Sequence, residues 1–384
     1  MKKILVVTTK FPFPLYRGDN LRIYSISKHL SKKNKLDLIY TGSKENFQKI
    51  KFFDKIMWIK TNNVNRFFSI LYFLLRGESI RVGYFFSLKM LEKIEEIHKN
   101  YDCIVFHKIE GSNFLPNDYK GKKILEMTDL MSENYFQLYK KFSFFNPLKY
   151  IFFIEEKILR KYEKKVISLF DHTVFVSKSD LNSFSLTKIL KKKIKIIPLG
   201  LNQKRKLFKF NKKNKNIVFI GNINYLPNKI ACFDFIEKIM PLLERKGLSV
   251  NFKIIGRTSK ILKFRLTRFN NVYVYDNVKS FEKLCANAIC GIANITIATG
   301  MQFKVLEYMS MGLPTVVSEK CFRSINFKKN HDLMVYNNND QFVKQIIKLS
   351  KEKNFANKIS KNGYRKIVSN YGLDKSLKQY CKLI

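Results

Sequence analysis

The residues best placed to do chemistry lie in one almost uncharged segment, residues 300–318, which reads GMQFKVLEYMSMGLPTVVS. It holds a single cation, Lys304, and a single carboxylate, Glu307, in a chain with 73 Lys and Arg residues. The three-residue spacing puts both side chains on one face of a helix. A cation in the first helical turn adds to the positive N-terminal end, which favours phosphate groups. The pattern predicts an anion site; the alternative is a plain amphipathic helix with a Lys304–Glu307 ion pair.

This helix must start at the carboxyl edge of a sheet for such a site to form. An apolar strand at 290–295 precedes it, and a short loop ends at Gly300. We therefore expect the helix to begin near Met301 or Gln302. Ligands of open α/β sheets bind at the carboxyl ends of the strands. Gly300 would let a diphosphate approach the backbone, and Glu307 would accept hydrogen bonds from an adjacent sugar or ribose diol.

Short apolar runs typical of strands alternate with helical spacing along most of the chain. After the first run, for example, Ile23, Ile26 and Leu30 follow a helical period. The alternation predicts parallel sheets with helices on both faces. The runs lie at 3–9, 36–42, 102–108, 122–129, 172–179, 193–200, 216–222, 249–257, 271–278, 289–295 and 314–318.

A basic, polar segment at 203–215 interrupts this alternation. We predict two α/β domains in tandem, one over 1–202 and one over 216–365, with 203–215 as the linker. The last part of the chain, 366–384, is a candidate to return to the first domain as a helix.

The formal net charge of +43 favours anionic partners, namely nucleic acid, anionic lipid headgroups or a nucleotide-bearing substrate. A nucleotide bias in the genome, indicated by abundant Lys, Asn, Ile and Phe, is the competing explanation of this charge. Residues 139–165 interleave Lys with Phe, Tyr and Ile, as a helix in a membrane interface does. A core-packing helix with a solvated basic face is the alternative for that segment. The lysines at 190–195 are a second candidate for membrane contact.

Several classes of site are absent from the sequence. The six cysteines form no C-x-x-C pair and are expected to be reduced thiols in a cytoplasmic protein. The apolar run Phe67–Leu75 is too short to cross a bilayer, and Ile4–Val7 reads as a strand rather than a signal peptide. The dinucleotide, P-loop, D-x-D and H-E-x-x-H patterns are missing, so we expect no cofactor and no metal.

The segment 300–318 resembles the donor helix of the GT-B glycosyltransferases of family 4, the glycosyl transferases group 1. The likeness extends over nearly the whole chain and is greatest to a branch associated with bacterial exopolysaccharide. Further segments resemble the family's acceptor-domain loop and helix, its end-of-first-domain signatures and the loop that opens its second domain; they are 11–30, 174–180, 196–202 and 219–228. The residues of the donor helix that match the family are Gly300, Lys304, Glu307, Met309, Gly312, Pro314 and Val316.

The resemblance implies an α/β GT-B fold, with two Rossmann-like domains facing a central cleft, and a role for individual residues. The catalytic candidates are His107, Lys229 and Lys304. The donor-binding candidates are Gly18, Gly221, Asn222, Arg257, Asn277, Val278, Thr299, Gly300, Gln302, Phe303 and Glu307. The acceptor-side candidates are Asp19 and Asp129. A surface or capping role is the alternative for both aspartates, and a buried, satisfied histidine is the alternative for His107.

Two departures from the family pattern stand out. Thr299 takes the place of a second glutamate that many members carry near the transferred sugar. The family's Arg and Lys pair in the loop that opens the second domain is also unclear, since Asn222 takes one place and Lys229 fills the other only approximately. Lys229 or Arg257 would then supply the missing charge.

The resemblance implies a retaining, metal-independent glycosyltransferase. The donor would be a nucleotide-diphosphate sugar, and the acceptor would be a saccharide or a lipid-linked molecule of bacterial surface polysaccharide or lipopolysaccharide biosynthesis. Such a protein would be cytoplasmic, with an anionic membrane surface as a possible partner and no nucleic acid partner. The alternatives are a nucleic-acid-binding protein, a GT-B sugar-nucleotide epimerase, and a glycosyltransferase-like protein without activity.

Overall fold

The structure is a computed structural model that describes residues 1–13, 18–42, 44, 50–184, 186–202, 206–276, 278 and 280–384. The chain divides into two compact units. Unit 1 comprises Met1–Pro198 and Leu377–Ile384, and unit 2 comprises Leu199–Ser376. Each unit is built on a parallel sheet, and the predicted α/β class is confirmed.

The sheet of unit 1 is a Rossmann-type sheet. Its strands are β1 (Lys3–Thr8), β2 (Lys35–Gly42), β3 (Lys55–Lys60), β4 (Cys103–His107), β5 (Lys122–Thr128), β6 (His172–Phe175) and β7 (Ile194–Ile196). They lie in the order β3-β2-β1-β4-β5-β6-β7, and all pairs are parallel. Chain order reverses between β1 and β4, so their carboxyl ends form the switch point at which such sheets bind ligands.

The helices of unit 1 connect these parallel strands. They are α1 (Gly18–Leu30), α2 (Asn63–Leu75), α3 (Ile80–Phe85), α4 (Leu88–Ile97), α5 (Lys108–Gly111), α6 (Met131–Lys141), α7 (Leu148–Leu169) and α8 (Lys188–Lys193). The predicted core positions of α1 are confirmed, since Ile23, Ile26 and Leu30 are buried. Its place on the sheet is fixed by a buried ion pair, in which Arg22 Nε lies 2.8 Å from Glu126 Oε1 on β5.

Two glutamates of α7 fasten neighbouring helices to it. The Glu155 carboxylate accepts hydrogen bonds from the backbone N–H of Ile80 (2.7 Å) and from the Ser79 hydroxyl (2.8 Å) at the start of α3. Eight residues on, Glu163 accepts from the backbone N–H of Met131 (2.7 Å) at the start of α6. A carboxylate at a helix N-terminus satisfies orphan donors and complements the helix dipole. The two caps therefore hold α3, α6 and α7 together.

Unit 2 repeats the architecture with a six-stranded sheet. Its strands are β8 (Asn216–Ile220), β9 (Asn251–Ile255), β10 (Val272–Tyr275), β11 (Ala288–Ala293), β12 (Thr315–Ser318) and β13 (Met334–Tyr336). They lie in the order β10-β9-β8-β11-β12-β13, again all parallel. The switch point of this sheet lies between β8 and β11, so the residues that follow these two strands border the expected ligand site.

The helices of unit 2 cover both faces of its sheet. They are α9 (Leu226–Asp234), α10 (Met240–Arg245), α11 (Lys260–Thr267), α12 (Glu282–Cys285), α13 (Phe303–Ser310), α14 (Glu319–Arg323), α15 (Asn339–Lys351), α16 (Lys353–Asn370) and α17 (Leu373–Cys381). A π-helical turn at Phe235–Ile239 joins α9 to α10. The second half of α17 belongs to unit 1, where Leu377, Tyr380 and Leu383 are buried.

Two strands were absent from the sequence prediction, and both lie at a sheet edge. Strand β3 is only partly buried, and a lysine at each end limits its apolar run to the four residues 56–59. Strand β13 has three residues, too few for a period.

The basic segment 203–215 is not a linker between the units. Residues 203–205 lie outside the described residues, and the rest of the segment belongs to unit 2. The backbone N–H groups of Leu207 and Phe208 donate to the carbonyl of Met311, at 2.8 and 3.3 Å, and the Phe208 ring is buried. These bonds attach the segment to the end of α13.

Candidate functional site

Helix α13 begins where the sequence predicts, with Gln302 as its N-cap residue. The preceding loop ends at Gly300, whose φ of +61° lies in the left-handed region that favours glycine. The helix ends in a Schellman motif: the N–H of Gly312 (φ +71°) donates to Met309, and that of Leu313 donates to Tyr308. Both glycines of the donor-helix pattern thus set the boundaries of the helix.

The helix is buried on every side, so the amphipathic alternative is wrong. Val305, Leu306 and Met309 pack in the core, yet Lys304 and Glu307 are also only 7% exposed. The Lys304–Glu307 ion pair of that alternative does not form, because the ammonium of Lys304 hydrogen-bonds to Asn228 in the first turn of α9. Two charged side chains are therefore buried on this short helix without neutralising each other.

Lys304 Nζ donates a hydrogen bond of 2.7 Å to Oδ1 of Asn228. It also lies 3.8 Å from the centre of the Phe219 ring on β8, a cation–π arrangement. A Cβ atom at Gly221 would be 3.5 Å from the same nitrogen. The structure thus brings Lys304 and Gly221 together at the switch point, as the resemblance implies.

Asn228 is the residue that the sequence analysis missed. Its Nδ2 donates to the carbonyl oxygen of Asn222 at 2.8 Å, so the amide connects the loop after β8 to the first turn of α13. Asn228 closes the family-like segment 219–228, and that membership was the available signal. The neighbouring Lys229 is half-buried, and the structure shows Asn228 rather than Lys229 against Lys304.

Burial lowers the pKa of Lys304 to about 8. The groups that raise it slightly are the thiols of Cys321 and Cys232, whose own pKa values are raised by burial. Among the described residues, no carboxylate contributes to this shift. An ammonium buried beside an amide and a ring, with no acidic counterion in the described part of the chain, is an incomplete electrostatic arrangement that an anion would complete.

Other donor candidates lie around α13. Thr299 is buried, and its carbonyl accepts a hydrogen bond of 3.3 Å from Gln302 Nε2. Phe303 is half-buried at the first helical position. The arrangement places the first backbone amides of α13, Lys304 and Glu307 within about one and a half turns of one helix.

The remaining donor candidates are less closely tied to Lys304. Arg257 is exposed, and its carbonyl accepts from the backbone N–H of Ile223 at 2.9 Å. Val278 is half-buried. Asn277 lies outside the described residues.

In unit 1, His107 ends β4 at the switch point. Its side chain is 6% exposed, and neither ring nitrogen has a hydrogen-bond partner in the described part of the chain. The described residues therefore bury this histidine without satisfying its ring nitrogens. Burial, followed by the charge of Lys108, lowers the pKa of His107 to about 3, so the ring is neutral near pH 7. It offers a donor and an acceptor to a ligand hydroxyl.

The acceptor candidate Asp19 contacts the residue that follows this histidine. It occupies the first turn of α1 and forms an ion pair with Lys108, the residue after His107. Gly18 is the first residue of α1, and residues 14–17 before it lie outside the described residues. Asp129 follows β5 and accepts from the Thr128 hydroxyl at 3.1 Å, a local contact.

One group of possible metal ligands occurs among the described residues, formed by Glu95, His98 and Asp118 in unit 1. His98 Nε2 lies 3.0 Å from Asp118 Oδ1, and Lys99 Nζ lies 3.4 Å from the other oxygen of that carboxylate. Ion pairing thus already engages this carboxylate.

Residues 214–352 match the family model described as glycosyl transferases group 1. A Klebsiella pneumoniae protein described as an uncharacterized 44.6 kDa protein in the cps region is 25% identical over 398 residues, which covers 97% of each chain. The matched range contains both Asn228 and the whole of α13.

Solved structures share the fold over the full chain. Sucrose-phosphate synthase from Thermosynechococcus elongatus superposes with a TM-score of 0.74 at 11% identity, over 100% of this chain and 98% of that one. Anabaena HepE in complex with UDP-glucose gives a TM-score of 0.70 at 11% identity, over 100% and 99%. At such identities the likeness shows the fold, and that fold is GT-B.

Proposed function

We propose, from the match of residues 214–352 to the glycosyl transferases group 1, that the chain is a member of this family and catalyses a specific reaction. The protein transfers a sugar from a nucleotide-diphosphate sugar to a saccharide or lipid-linked acceptor. The cps-region relative, together with the resemblance to an exopolysaccharide-associated branch, supports a place in bacterial capsule or lipopolysaccharide synthesis.

The observation that carries this proposal is the buried ammonium of Lys304. It lies in the first turn of α13, at the switch point of unit 2, with an amide and an aromatic ring as its partners. A diphosphate would supply the missing counterion and would also accept hydrogen bonds from the first amides of α13. HepE, which shares the fold, was solved with UDP-glucose, which supports a nucleoside diphosphate as the anion.

Glu307 is proposed to bind the ribose of the donor. It lies one turn beyond Lys304 and is buried, and its carboxylate oxygens can accept hydrogen bonds from two ribose hydroxyl groups. Gly221 and Asn222 would border the diphosphate from the loop after β8. Thr299, Gly300, Gln302 and Phe303 would contribute backbone groups before the helix.

The transfer step is proposed to retain the anomeric configuration. The acceptor hydroxyl oxygen bonds to the anomeric carbon as the bond from that carbon to the diphosphate oxygen breaks. The hydroxyl proton passes to the departing phosphate. Lys304 and the α13 amides stabilise the charge that develops on this oxygen, and one such donor is worth roughly 3–4 kcal/mol. We propose that these groups do so without a metal ion.

On the acceptor side, His107 and Asp19 are the proposed contacts of unit 1. The two ring nitrogens of His107 have hydrogen-bonding capacity that no described residue uses. A neutral imidazole can donate to one sugar hydroxyl and accept from another. Asp129 makes a local hydrogen bond and is the weaker candidate. The cytoplasmic, membrane-associated location also remains a proposal, supported by the charge of +43.

The experiment is incubation of the purified chain with a panel of UDP and GDP sugars, with and without a lipid-linked oligosaccharide extract. We expect nucleotide release from one donor, greater with acceptor present, and at least about a hundredfold loss in Lys304→Met. Release of nucleotide with formation of an epimer and no transfer would indicate an epimerase. Donor binding without turnover would indicate an inactive relative, for which Thr299 would be the first residue to restore to Glu.

A further inference from the structure

Helix α2 carries its apolar face towards solvent. Among its 13 residues only Phe73 is buried, and Phe67 and Phe68 are 63% and 61% exposed. The exposed side chains recur with helical spacing on one face; they are Val64, Phe67, Phe68, Leu71, Tyr72, Leu74 and Leu75. An apolar stripe of this width normally packs against a core. Within the described residues, nothing covers it.

The start of α7 presents a second exposed apolar set. Phe145, in the turn before the helix, is 91% exposed. Its exposed apolar neighbours are Phe144, Leu148, Tyr150, Ile151, Phe153 and Ile154. The second half of α7 packs in the core instead, through Leu159, Val166 and Ile167. Both interpretations of residues 139–165 therefore have a place in the structure. The turn and the first half of α7 expose apolar side chains, whereas the second half of α7 packs in the core.

These two sets are joined through α3. Phe73 of α2 packs against Val82 of α3 and Leu159 of α7. On the exposed side, the guanidinium of Arg66 lies 5.2 Å from the Tyr84 ring. Tyr84 and Ile151 then line one mostly apolar cavity of about 320 Å³ between α3, α6 and α7. We call the exposed residues of α2, Tyr84 and the exposed residues of 144–154 the α2–α7 surface.

We propose that the α2–α7 surface docks on an anionic lipid bilayer, with α2 as the main anchor. The proposal rests on the proposed function only in that a lipid-linked acceptor would be met at this bilayer. The principal membrane contact is then α2, and not the segments 139–165 and 190–195 that the sequence predicts. The apolar run of α2 is too short to cross a bilayer, but it is long enough to lie on one.

Charge identifies the occupant. Residues 62–77 and 139–154 contain no Asp or Glu, and their cations are Arg66, Arg76, Lys140, Lys141 and Lys149. The cations lie over the aromatic rings: Arg76 is 5.4 Å from the Tyr72 ring and Lys149 is 5.3 Å from the Tyr139 ring. Aromatic and aliphatic side chains interspersed with cations match the interface of an anionic bilayer. A second copy of the chain would also carry a net charge of +43 and the same surface cations, and this repulsion disfavours a dimer.

The test compares binding of the full chain to vesicles of phosphatidylglycerol and phosphatidylcholine in equal parts and to vesicles of phosphatidylcholine alone. The variant is Phe67→Ser with Phe68→Ser. The matched control is Ile261→Ser with Phe264→Ser on α11, whose residues are 77% and 65% exposed and also lie among cations. Because the four side chains are exposed, thermal midpoints should stay unchanged.

We expect wild type to sediment with the anionic vesicles, and to do so less at high salt. The α2 variant should partition at least about tenfold more weakly, and the α11 control within about twofold of wild type. A second readout is Phe68→Trp in a Trp58→Phe background, because Trp58 is the single tryptophan. Its emission should shift to shorter wavelength with anionic vesicles.

Equal vesicle binding by the two double variants would overturn the inference. So would loss of a dimer in sedimentation velocity without a change in vesicle binding, which would make the surface a contact between copies. Stabilisation by UDP and GDP is measured on every variant. If wild type binds vesicles but uses no nucleotide sugar, the proposed function fails and the docking surface stands.

Discussion

At the scale of single residues, Lys304 is the least ordinary feature of the chain. Taking a charge out of water costs several kcal/mol unless an opposite charge or a ligand compensates for it. The Asn228 oxygen and the Phe219 ring orient the ammonium, but neither carries a charge. If the proposed function holds, Lys304 is held ready for an anion, and the energy would be recovered when the diphosphate binds.

Replacing Asn228 by Asp tests whether Lys304 binds a ligand or only stabilises the fold. The new carboxylate would lie where Oδ1 now lies, 2.7 Å from Lys304 Nζ, and would take the place of the diphosphate as counterion. We expect Asn228→Asp to raise the thermal midpoint or leave it unchanged. The KM for the donor should rise at least about tenfold, in keeping with a buried charged pair formed at the ligand's expense.

The matched variant is Asn228→Ala, which removes the contact without adding charge. It should lose about 1–3 kcal/mol of folding stability through the unpaired groups and raise the KM less than Asn228→Asp does. Unchanged donor kinetics in Asn228→Asp would mean that Lys304 serves the fold alone.

Nucleotide binding should weaken as the pH rises through about 8. Below this pKa Lys304 carries its charge in the free protein, and above it the proton must be regained when the diphosphate binds. The affinity for UDP or GDP should fall by up to tenfold per pH unit above 8, and Lys304→Met should remove this dependence. Calorimetric titration between pH 6.5 and 9.5, on the order of one point per half unit, measures it.

The same group affects stability with the opposite sense. Its pKa in the folded state lies below the usual value of 10.5, so the unfolded chain binds more protons between about 8 and 10.5. The contribution of Lys304 to stability therefore rises with pH across this window. The thiols of Cys232 and Cys321 also face this region.

Sequence reasoning identified Lys304, Glu307 and the boundaries of their helix, because residue type and spacing along one element are local properties. It missed Asn228 and Phe219 as partners of Lys304. Those contacts join β8 and the first turn of α9 to α13, about 80 residues apart in the chain, and only the folded sheet brings them together. The same limit explains why spacing alone could not exclude the alternative of a Lys304–Glu307 pair.

At the scale of elements, α7 organises the outer layer of unit 1. Its Glu155 carboxylate satisfies the first donors of α3, and α3 lies beneath α2, so the α2–α7 surface depends on this cap. The periodicity of the sequence predicted a helix here, but it did not show that two of its glutamates point inward. In the sequence alone, a glutamate that caps another helix cannot be distinguished from one on the solvated face.

Glu155→Ala should lower the free energy of unfolding by about 2–4 kcal/mol, because three donors at the start of α3 lose their acceptor in a buried place. Glu96→Ala on α4 is the control. Glu96 is exposed and forms a surface pair with Lys93, so its loss should cost less than about 1 kcal/mol. Urea unfolding of both variants decides the point, and equal costs would contradict the capping role.

At the scale of the whole molecule, the two units share one plan. Both sheets are parallel and both reverse chain order beside their first strand, β1 or β8. The alternating pattern predicted this plan, since it repeats along the chain. The boundary between the units was harder to predict from the sequence. The basic composition of 203–215 indicated a linker there, whereas the division falls at Pro198. The basic segment is instead hydrogen-bonded to the end of α13.

The C-terminal residues are expected to stabilise unit 1. Leu377, Tyr380 and Leu383 are buried there, beyond the end of unit 2 at Ser376. A chain that ends at Ser376 should lose about 4.5–9 kcal/mol of the stability of unit 1, at about 1.5–3 kcal/mol for each of the three buried side chains. Thermal unfolding with and without UDP measures this, because the nucleotide should still stabilise unit 2. A single unchanged transition would contradict the division.

The most direct test of the central claim is equilibrium binding of UDP and GDP to wild type, Lys304→Met and Glu307→Ala, with Lys229→Met as the control cation. The account predicts micromolar to millimolar binding of one nucleotide by wild type and by Lys229→Met. It also predicts a loss of at least about tenfold in each α13 variant, with thermal midpoints preserved in the absence of ligand. Wild-type affinity in Lys304→Met, or an equal loss in Lys229→Met, would contradict it.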